Sequence, residues 1–244
     1  RIFICKQNLS FARTRQAYWA GNVGLALRPE FRQYRVMKNR ISQADFPQFI
    51  MLAIFLALLG WSAVCPFDRR VWWVEISSVL AVFALFALSR RWFKFSNISY
   101  FFVFLWLCMH TVGAHYSFER VPFGLITDTF GFGRNHYDRV AHFAVGMCAY
   151  TAAEVFFKTR AAGSEKSAAF FGILFMMALA NAWELIEWAY AEADGGEVGA
   201  AFLGSQGDVW DAQKDMLCDT LGAIAAAPLF PLFNRPKSAA ANPE

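Results

Sequence analysis

The chain has 244 residues and a net charge of +4, and 57% of its residues are hydrophobic and 18% aromatic. A soluble globular domain is about 45–50% apolar, whereas here the mean hydropathy is +0.32 and the apolar residues form long blocks. This composition excludes an ordinary soluble domain and predicts an all-α protein that crosses a lipid bilayer several times. The five cysteines are odd in number and include no CxxC pair, which argues against a disulfide framework and a zinc ribbon.

Residues 1–45 are polar and basic, with nine lysines and arginines, and they contain no apolar core of a signal peptide. They predict an N-terminal extension whose charge is a cytoplasmic topogenic signal rather than a surface for nucleic acid. The string MKNR at Met37 is typical of a bacterial start before a first membrane helix. Residues 1–36 are therefore expected to be upstream read-through or a disordered extension, and residues 236–244 a disordered tail.

Six apolar blocks follow, each about as long as the 17–25 residues that a helix needs to cross the hydrocarbon layer. They cover residues 48–64, 71–88, 98–114, 139–157, 168–190 and 215–233. No internal repeat stands out, so residues 46–235 predict one six-helix membrane domain.

The basic residues predict the orientation of these spans. Lysines and arginines number 17 on the side of the termini and six on the other side, or ten and six if the chain starts at Met37. The positive-inside tendency then places both termini in the cytoplasm of a bacterium and makes the protein a multi-pass inner-membrane protein. Residues 65–70, 115–138 and 191–214 become the periplasmic loops.

Ionisable residues concentrate near the periplasmic ends of the predicted spans, where they are costly unless they are paired. Asp138 and His142 are four residues apart and share a helix face, as do Glu184 and Glu187 at a spacing of three. The aspartates at positions 208, 211, 215 and 219 form one stripe if a helix starts near residue 208, and such a stripe needs counter-charges. We therefore expect a polar pocket that opens to the periplasm. Its predicted lining is His142, Asp138, Arg139, Glu184, Glu187, Asp215, Asp211, His110 and Asp219.

The predicted pocket offers side chains for metal or anion chemistry. Imidazole and carboxylate ligands suit zinc, manganese or iron, and the predicted ligand set is His142, Glu184 and Asp215. His142, Glu184 and Glu187 are the candidate catalytic groups, because a metal-bound water beside either glutamate would form a hydrolytic centre. Arg139 is expected to neutralise carboxylates or to hold an anionic lipid or phosphate head group.

Other interpretations of the same residues stay open. Asp208 and Asp211 suit the N-cap and first turn of a helix, Glu154 suits a solvated position or a pair with Lys158, and Glu75 lies close enough to the surface to reach water. A structural protein, in which the charges only pair and hold the helices together, would satisfy them without any activity. A non-enzymatic transporter or proton relay is a further alternative, although conduction needs polar stations across the whole membrane.

Several strings go beyond hydropathy. They are FSNISY at 95–100, HTVGAHY at 110–116, RNHYDR at 134–139, WELIEW at 183–188 and LGSQGDVWDAQKDM at 203–216. In this order they resemble the YjdF-type family of bacterial inner-membrane proteins, a domain of unknown function. The resemblance covers residues 46–233 and implies six spans, but it brings no established activity and no catalytic residue.

A weaker resemblance is to the VanZ-like membrane proteins. It rests on the string DRVAHF at 138–143, on Glu184 in the next span, and on Asp215 ahead of Gly222 and Ala223. Where that pattern often has glutamine, this chain has Glu187. The function of that group is unsettled, so the resemblance implies a shared site and no particular reaction.

Overall fold

The computed structural model describes residues 45–234, apart from the side chains of residues 194, 197, 198, 200 and 201. The predicted tail, and the predicted N-terminal extension except for Asp45, lie outside the described residues. The described part of the chain forms helices and no strands. The helices are α1 (Phe46–Ser62), α2 (Arg69–Ser89), α3 (Asn97–Tyr116), α4 (Gly124–Phe130), α5 (Tyr137–Gly146), α6 (Ala149–Lys158), α7 (Glu165–Asp194), α8 (Gly196–Leu203), α9 (Asp211–Ala226) and α10 (Leu229–Phe233).

Five helical segments within the described residues are long and apolar enough to cross a membrane. They are α2, α3, α5 together with α6, α7, and α9 together with α10. Helix α1 is apolar but shorter, with 17 residues, which corresponds to about 25 Å at 1.5 Å per residue. The prediction of an all-α protein with several membrane-spanning helices is confirmed at this level.

The helix starts follow from capping side chains. Asp68 accepts hydrogen bonds from the backbone N–H groups of Arg70 and Val71 at the start of α2, and Ser96 caps α3. Ser164 forms a capping box with Ser167 at the start of α7. These side chains satisfy N–H groups that have no partner within their helix.

The bundle of described helices has two ends, and different contacts identify each of them. At one end the backbone N–H of Phe67 donates to the carbonyl of His115 (2.9 Å), and the hydroxyl of Tyr137 donates to the carbonyl of Met109 (2.9 Å). All four histidines lie toward this end, which we call the histidine end. At the opposite end, Lys94 pairs with Asp45 at 2.9 Å.

The first and last described residues lie toward the same end of the helix bundle. Lys158 donates to the carbonyl of Lys94 at the opposite end (2.8 Å), and Asn234 donates to the hydroxyl of Tyr150 (3.5 Å). Asp45 and Asn234 therefore lie toward the same end of the bundle.

Helix α3 joins the two halves of the bundle. It packs on α1 and α2 on one side and on α5 and α6 on the other, while α7 and α9 complete the second half. Buried apolar side chains such as Phe55, Ile76 and Leu107 fill the first half, and Tyr150 and Phe230 belong to the core of the second. Large apolar residues of α7 instead point outward, which suits contact with lipid.

Candidate functional site

Two glycines bring α5 and α9 into backbone contact. A Cβ atom at Gly146 would lie 2.1 Å from the carbonyl oxygen of Asp219, and one at Gly222 would lie 2.0 Å from that of Phe143. Small residues allow this close approach between membrane helices. One turn nearer the histidine end, the side chains of His142 and Asp219 meet.

The first part of the site is a carboxylate–histidine cluster, formed by Asp138, His142, Asp215, Asp219 and Glu184. His142 is buried, and its Nδ1 donates to Oδ2 of Asp219 at 3.0 Å. An ionised carboxylate can only accept, so Nδ1 carries a proton when Asp219 is ionised, and in the neutral imidazole Nε2 then has the lone pair. Nε2 lies 3.6 Å from Oδ1 of Asp138 on the same helix face.

Asp138, His142 and Asp215 are close enough together to hold one metal ion. One ligand atom from each lies within 4.8 Å of those of the other two. Two atoms bound to one metal at about 2.1 Å in tetrahedral geometry are roughly 3.4 Å apart, so side-chain shifts of about 1 Å would close the group. One imidazole nitrogen with carboxylate oxygens is a donor set that suits zinc, manganese or iron.

Several buried oxygen atoms of this cluster have no hydrogen-bond partner among the described residues. They are Oδ1 of Asp215, Oδ1 of Asp219 and Oε1 of Glu184. Asp215 and Asp219 are only 3% and 2% exposed, so water does not solvate them from outside. Glu184 reaches the cluster from α7, within electrostatic range of His142, Asp215, Asp138 and Asp219. Buried polar atoms are normally paired, so a ligand or a water molecule held between these side chains would satisfy them.

The second part of the site is an arginine cluster, formed by Arg134, Arg139, Lys214, Asp208 and Asp211. Arg139 Nη2 lies 2.7 Å from Asp208 Oδ2 and 2.9 Å from Asp211 Oδ1. Arg134 also binds Asp211, and Lys214 binds Asp208 at 2.6 Å. The two parts of the site meet where Arg139 Nε lies 3.7 Å from Oδ1 of Asp215.

The connection between α8 and α9 is held against the start of α5. Gln206 accepts from the backbone N–H of Asn135 and donates to its carbonyl, both at 2.9 Å. The backbone φ angles at Gly204, Gln206 and Gly207 are positive. Glycine adopts such angles without steric cost, and it occupies two of these three positions. This turn brings Asp208 to the arginines.

Charge and burial shift two pKa values beside the arginine cluster. Hydrogen bonds from Lys214 and then Arg139 hold the pKa of Asp208 well below its usual range. Burial lowers the pKa of His136, and the positive charges of Arg139 and Arg134 lower it further. Asp208 is therefore ionised at neutral pH, and His136 favours its neutral form.

Two predicted lining residues form their hydrogen bonds outside both clusters, although Glu187 lies within electrostatic range of Glu184, Asp138 and His142. His110 Nε2 is 2.9 Å from Oε2 of Glu75 and 3.3 Å from the hydroxyl of Ser78, so this imidazole joins α3 to α2. The carboxylate of Glu187 accepts a hydrogen bond from the indole N–H of Trp183 on its own helix. The other seven predicted lining residues belong to the two clusters.

Sequence reasoning missed the ion pairs of Arg134 and the burial of Glu75 and Glu154, whereas it offered the pairing of Glu154 with Lys158 as one interpretation. Arg134 stands in a string that was singled out, but its pairing with Asp211 depends on tertiary contact. Glu75 is buried rather than at the surface. Glu154, at the opposite end, is also buried, and it pairs with Lys158 and accepts hydrogen bonds from Ser96 and Ser99.

Asp208 is not an N-cap, in contrast to one interpretation of the sequence. Helix α9 begins at Asp211 and its N-cap position is Trp210, which makes no side-chain cap. Asp208 lies outside the helix and accepts instead from the backbone N–H of Trp210 at 3.1 Å. The buried stripe on α9 therefore consists of Asp211, Asp215 and Asp219.

Comparison with known proteins agrees with this architecture. A family described as predicted membrane protein (DUF2238) matches residues 47–235. The inner membrane protein YjdF of Escherichia coli (strain K12) is 32% identical over 169 residues, which is 68% of this chain and 80% of YjdF. No solved structure gives a significant match. The chain therefore belongs to the DUF2238 family of membrane proteins, the YjdF-type family to which its ordered motifs pointed.

Proposed function

We propose that the protein binds a divalent metal ion in the carboxylate–histidine cluster, with Asp138, His142 and Asp215 as ligands. The observation that carries the proposal is the grouping of one donor atom from each of these residues within 4.8 Å. The bond from His142 Nδ1 to Asp219 is a second support, because metal-binding histidines commonly donate their other N–H to a carboxylate. Glu184, one of the three ligands predicted from the sequence, becomes a neighbour of the ion in this proposal.

The balance of charge favours a cation here. The carboxylate–histidine cluster has four carboxylates and one imidazole, and among the described residues only Asp215 of these carboxylates has an arginine within 4 Å. Asp208 and Asp211, by contrast, are matched by Arg134, Arg139 and Lys214. A divalent ion would supply the missing positive charge and use the lone pairs that have no partner.

Transport and a purely structural role are the two alternative functions. Transport of ions or protons has less support, because the buried ionisable residues of the described spans lie near one end or the other. Glu154, at the opposite end, is already fully engaged. A purely structural clamp is the stronger alternative, and the arginine cluster favours it, because Arg139 links α5 to α9 through two aspartates.

We further propose that the protein has six membrane spans, with α1 as the first, and is a multi-pass inner-membrane protein. The termini would lie in the cytoplasm and the histidine end would face the periplasm, with the domain covering residues 46–235. Support comes from the excess of lysine and arginine on the side of the termini and from the shared position of Asp45 and Asn234. The weaker VanZ-like resemblance stays a similarity of motifs at this site.

Cys65 gives a test of orientation, because its side chain is exposed in the loop between α1 and α2. A membrane-impermeant maleimide added to intact spheroplasts should label the protein at Cys65, and Cys65→Ser should abolish the labelling. Labelling that requires lysis would place the histidine end in the cytoplasm and refute the proposed topology.

Calorimetric titration of detergent-purified protein with Zn²⁺ and Mn²⁺ tests the metal site. We expect one ion per chain, with affinity reduced at least about 100-fold in His142→Ala and in Asp215→Asn. Asp219→Asn should reduce it about 10- to 100-fold, as a partner that orients a ligand does. The structural clamp is favoured if the wild-type protein binds neither ion and these variants only unfold at lower temperature.

The controls are residues of the same type at the same end of the bundle. His136→Ala removes an imidazole outside the clusters, and Glu119→Gln removes a carboxylate that pairs with Arg120 at 3.2 Å. Both variants should bind metal as the wild-type protein does. Equal loss of affinity in a control and in Asp215→Asn would show that the ion is not bound at the proposed ligands.

A further inference from the structure

We propose that a phosphate monoester binds where the two clusters meet and is hydrolysed there with Glu184 as general base. This inference rests on the proposed metal site. Its structural basis is Arg139, whose Nε is buried without a hydrogen-bond partner among the described residues and lies 3.7 Å from Oδ1 of Asp215, an atom that also lacks a hydrogen bond there. A positive donor and a proposed metal ligand thus lie next to each other where the two clusters meet.

The arginine cluster offers N–H donors to an anion. Its three cations, Arg134, Arg139 and Lys214, pair with Asp208 and Asp211, and Arg139 also lies 3.7 Å from Asp215. Among the described residues, Nη2 of Arg134 is also buried without a hydrogen-bond partner. Guanidinium groups with free N–H donors suit the oxygens of a phosphate group. A metal ion on the other side of the junction would add to this attraction, because divalent ions stabilise phosphoryl oxygens.

Glu184 is suited to act on water rather than to anchor the ion. It comes from α7, whereas the three proposed ligands come from α5 and α9, and its Oε1 is buried without a hydrogen-bond partner. It lies within electrostatic range of all four other members of the carboxylate–histidine cluster. With a metal ion held by Asp138, His142 and Asp215, a carboxylate in this position would accept a proton from a water molecule that the ion polarises.

The reaction balances with water as the co-reactant. Glu184 takes one proton from water as the water oxygen forms a bond to phosphorus. The phosphorus–oxygen bond to the alcohol breaks, and the leaving oxygen takes that proton back from Glu184. The products are an alcohol and inorganic phosphate, and the arginine cluster holds the phosphoryl oxygens throughout.

The ester has two possible sources, a lipid or a soluble metabolite. Val209 and Trp210, which follow Asp208 directly, are 86% and 62% exposed at the mouth of the site. Apolar side chains beside an anion site suit an ester whose alcohol part is a lipid. The test therefore uses both kinds of substrate.

The experiment measures phosphate release by metal-loaded protein from phosphatidic acid in detergent micelles and from p-nitrophenyl phosphate in solution. Hydrolysis of the first alone assigns a lipid substrate, and hydrolysis of the second shows that a soluble ester suffices. Glu184→Gln should reduce the rate about 100-fold or more, while its Mn²⁺ affinity stays within about threefold of wild type. Glu119→Gln should be as active as wild type.

Phosphate binding gives a second readout that does not depend on turnover. Inorganic phosphate should bind metal-loaded Glu184→Gln protein. Adding Arg139→Lys to that variant should weaken phosphate binding about tenfold, because lysine keeps the positive charge but lacks the planar guanidinium group with its several N–H donors. Thermal unfolding of both variants checks that they are folded.

The outcomes separate this inference from the metal site. Metal binding without hydrolysis of either ester would overturn the hydrolytic inference and leave the proposed function standing. Unchanged activity in Glu184→Gln would overturn the role of Glu184. Absence of metal binding in the wild-type protein would refute both proposals.

Discussion

Gly222→Ala tests whether close packing of α5 and α9 holds the site together. The new Cβ atom would lie 2.0 Å from the carbonyl oxygen of Phe143, and ordinary van der Waals contact begins at 3.4 Å. The obstacle is backbone within a helix, so the two helices would have to separate by about 1.4 Å. Overpacking of this kind costs about 1–3 kcal/mol, partly offset by the roughly 1 kcal/mol that alanine gains over glycine in a helix.

We expect Gly222→Ala to be about 1 kcal/mol less stable than wild type when unfolding in detergent micelles is followed by circular dichroism. The same separation would stretch the 3.0 Å bond between His142 and Asp219 beyond hydrogen-bond range. Metal affinity should therefore fall about 10- to 100-fold, as it does when a ligand loses its orienting partner.

Gly60→Ala is the matched control, because Gly60 lies in α1 and a Cβ atom there would meet nothing within 4 Å. It should be as stable as wild type, or more stable by up to about 1 kcal/mol. The packing argument is refuted if Gly222→Ala unfolds at the same denaturant concentration as Gly60→Ala and binds metal equally well.

Two further predictions concern single carboxylates. Glu154→Gln should lower the free energy of unfolding by about 1–3 kcal/mol. The buried carboxylate accepts hydrogen bonds from the backbone N–H of Ser96 and the hydroxyl of Ser99, and an amide cannot replace all of them. Unfolding equal to wild type in denaturant titrations would contradict this. Asp208→Asn should make the free energy of unfolding less dependent on pH in the acidic range. The folded pKa of Asp208 is depressed, so the stability it contributes is present above about pH 4 and is lost as pH falls toward the folded pKa. Thermal melts between pH 6 and pH 3 measure the effect, and parallel profiles for variant and wild type would count against it.

The helices could be predicted closely because long apolar blocks permit few structures in a membrane. The third block was predicted to cover residues 98–114, and α3 runs over Asn97–Tyr116. The interruptions were not predicted. Helix α9 gives way to α10 at Ala227 and Pro228, where proline lacks a backbone N–H. The break between α5 and α6 at residues 147–148 has no such signal in the sequence.

The site could be predicted only as far as local spacing reaches. Asp138 and His142 share a face because they are four residues apart, and both belong to the carboxylate–histidine cluster. The partner of His142 on α9 is Asp219, 77 residues away, and no periodicity identifies it. Helix α9 starts three residues later than the stripe hypothesis assumed. That difference removes Asp208 from the stripe and makes it the partner of Lys214.

The electrostatics of the carboxylate–histidine cluster show how a bound cation would stabilise the fold. Two like charges within 4.8 Å of each other repel by about 3–4 kcal/mol or more at an effective dielectric constant of about 20. The net stability of a folded protein is only about 5–15 kcal/mol, so Asp138 and Asp215 cannot both stay ionised and unpaired without a large loss. A bound divalent ion turns this repulsion into attraction. At a free metal concentration 100 times the dissociation constant, it would add about 2.7 kcal/mol to the free energy of unfolding. Metal should therefore raise the unfolding temperature of the wild-type protein and not that of Asp215→Asn, which links stability and ligand binding at the same three side chains.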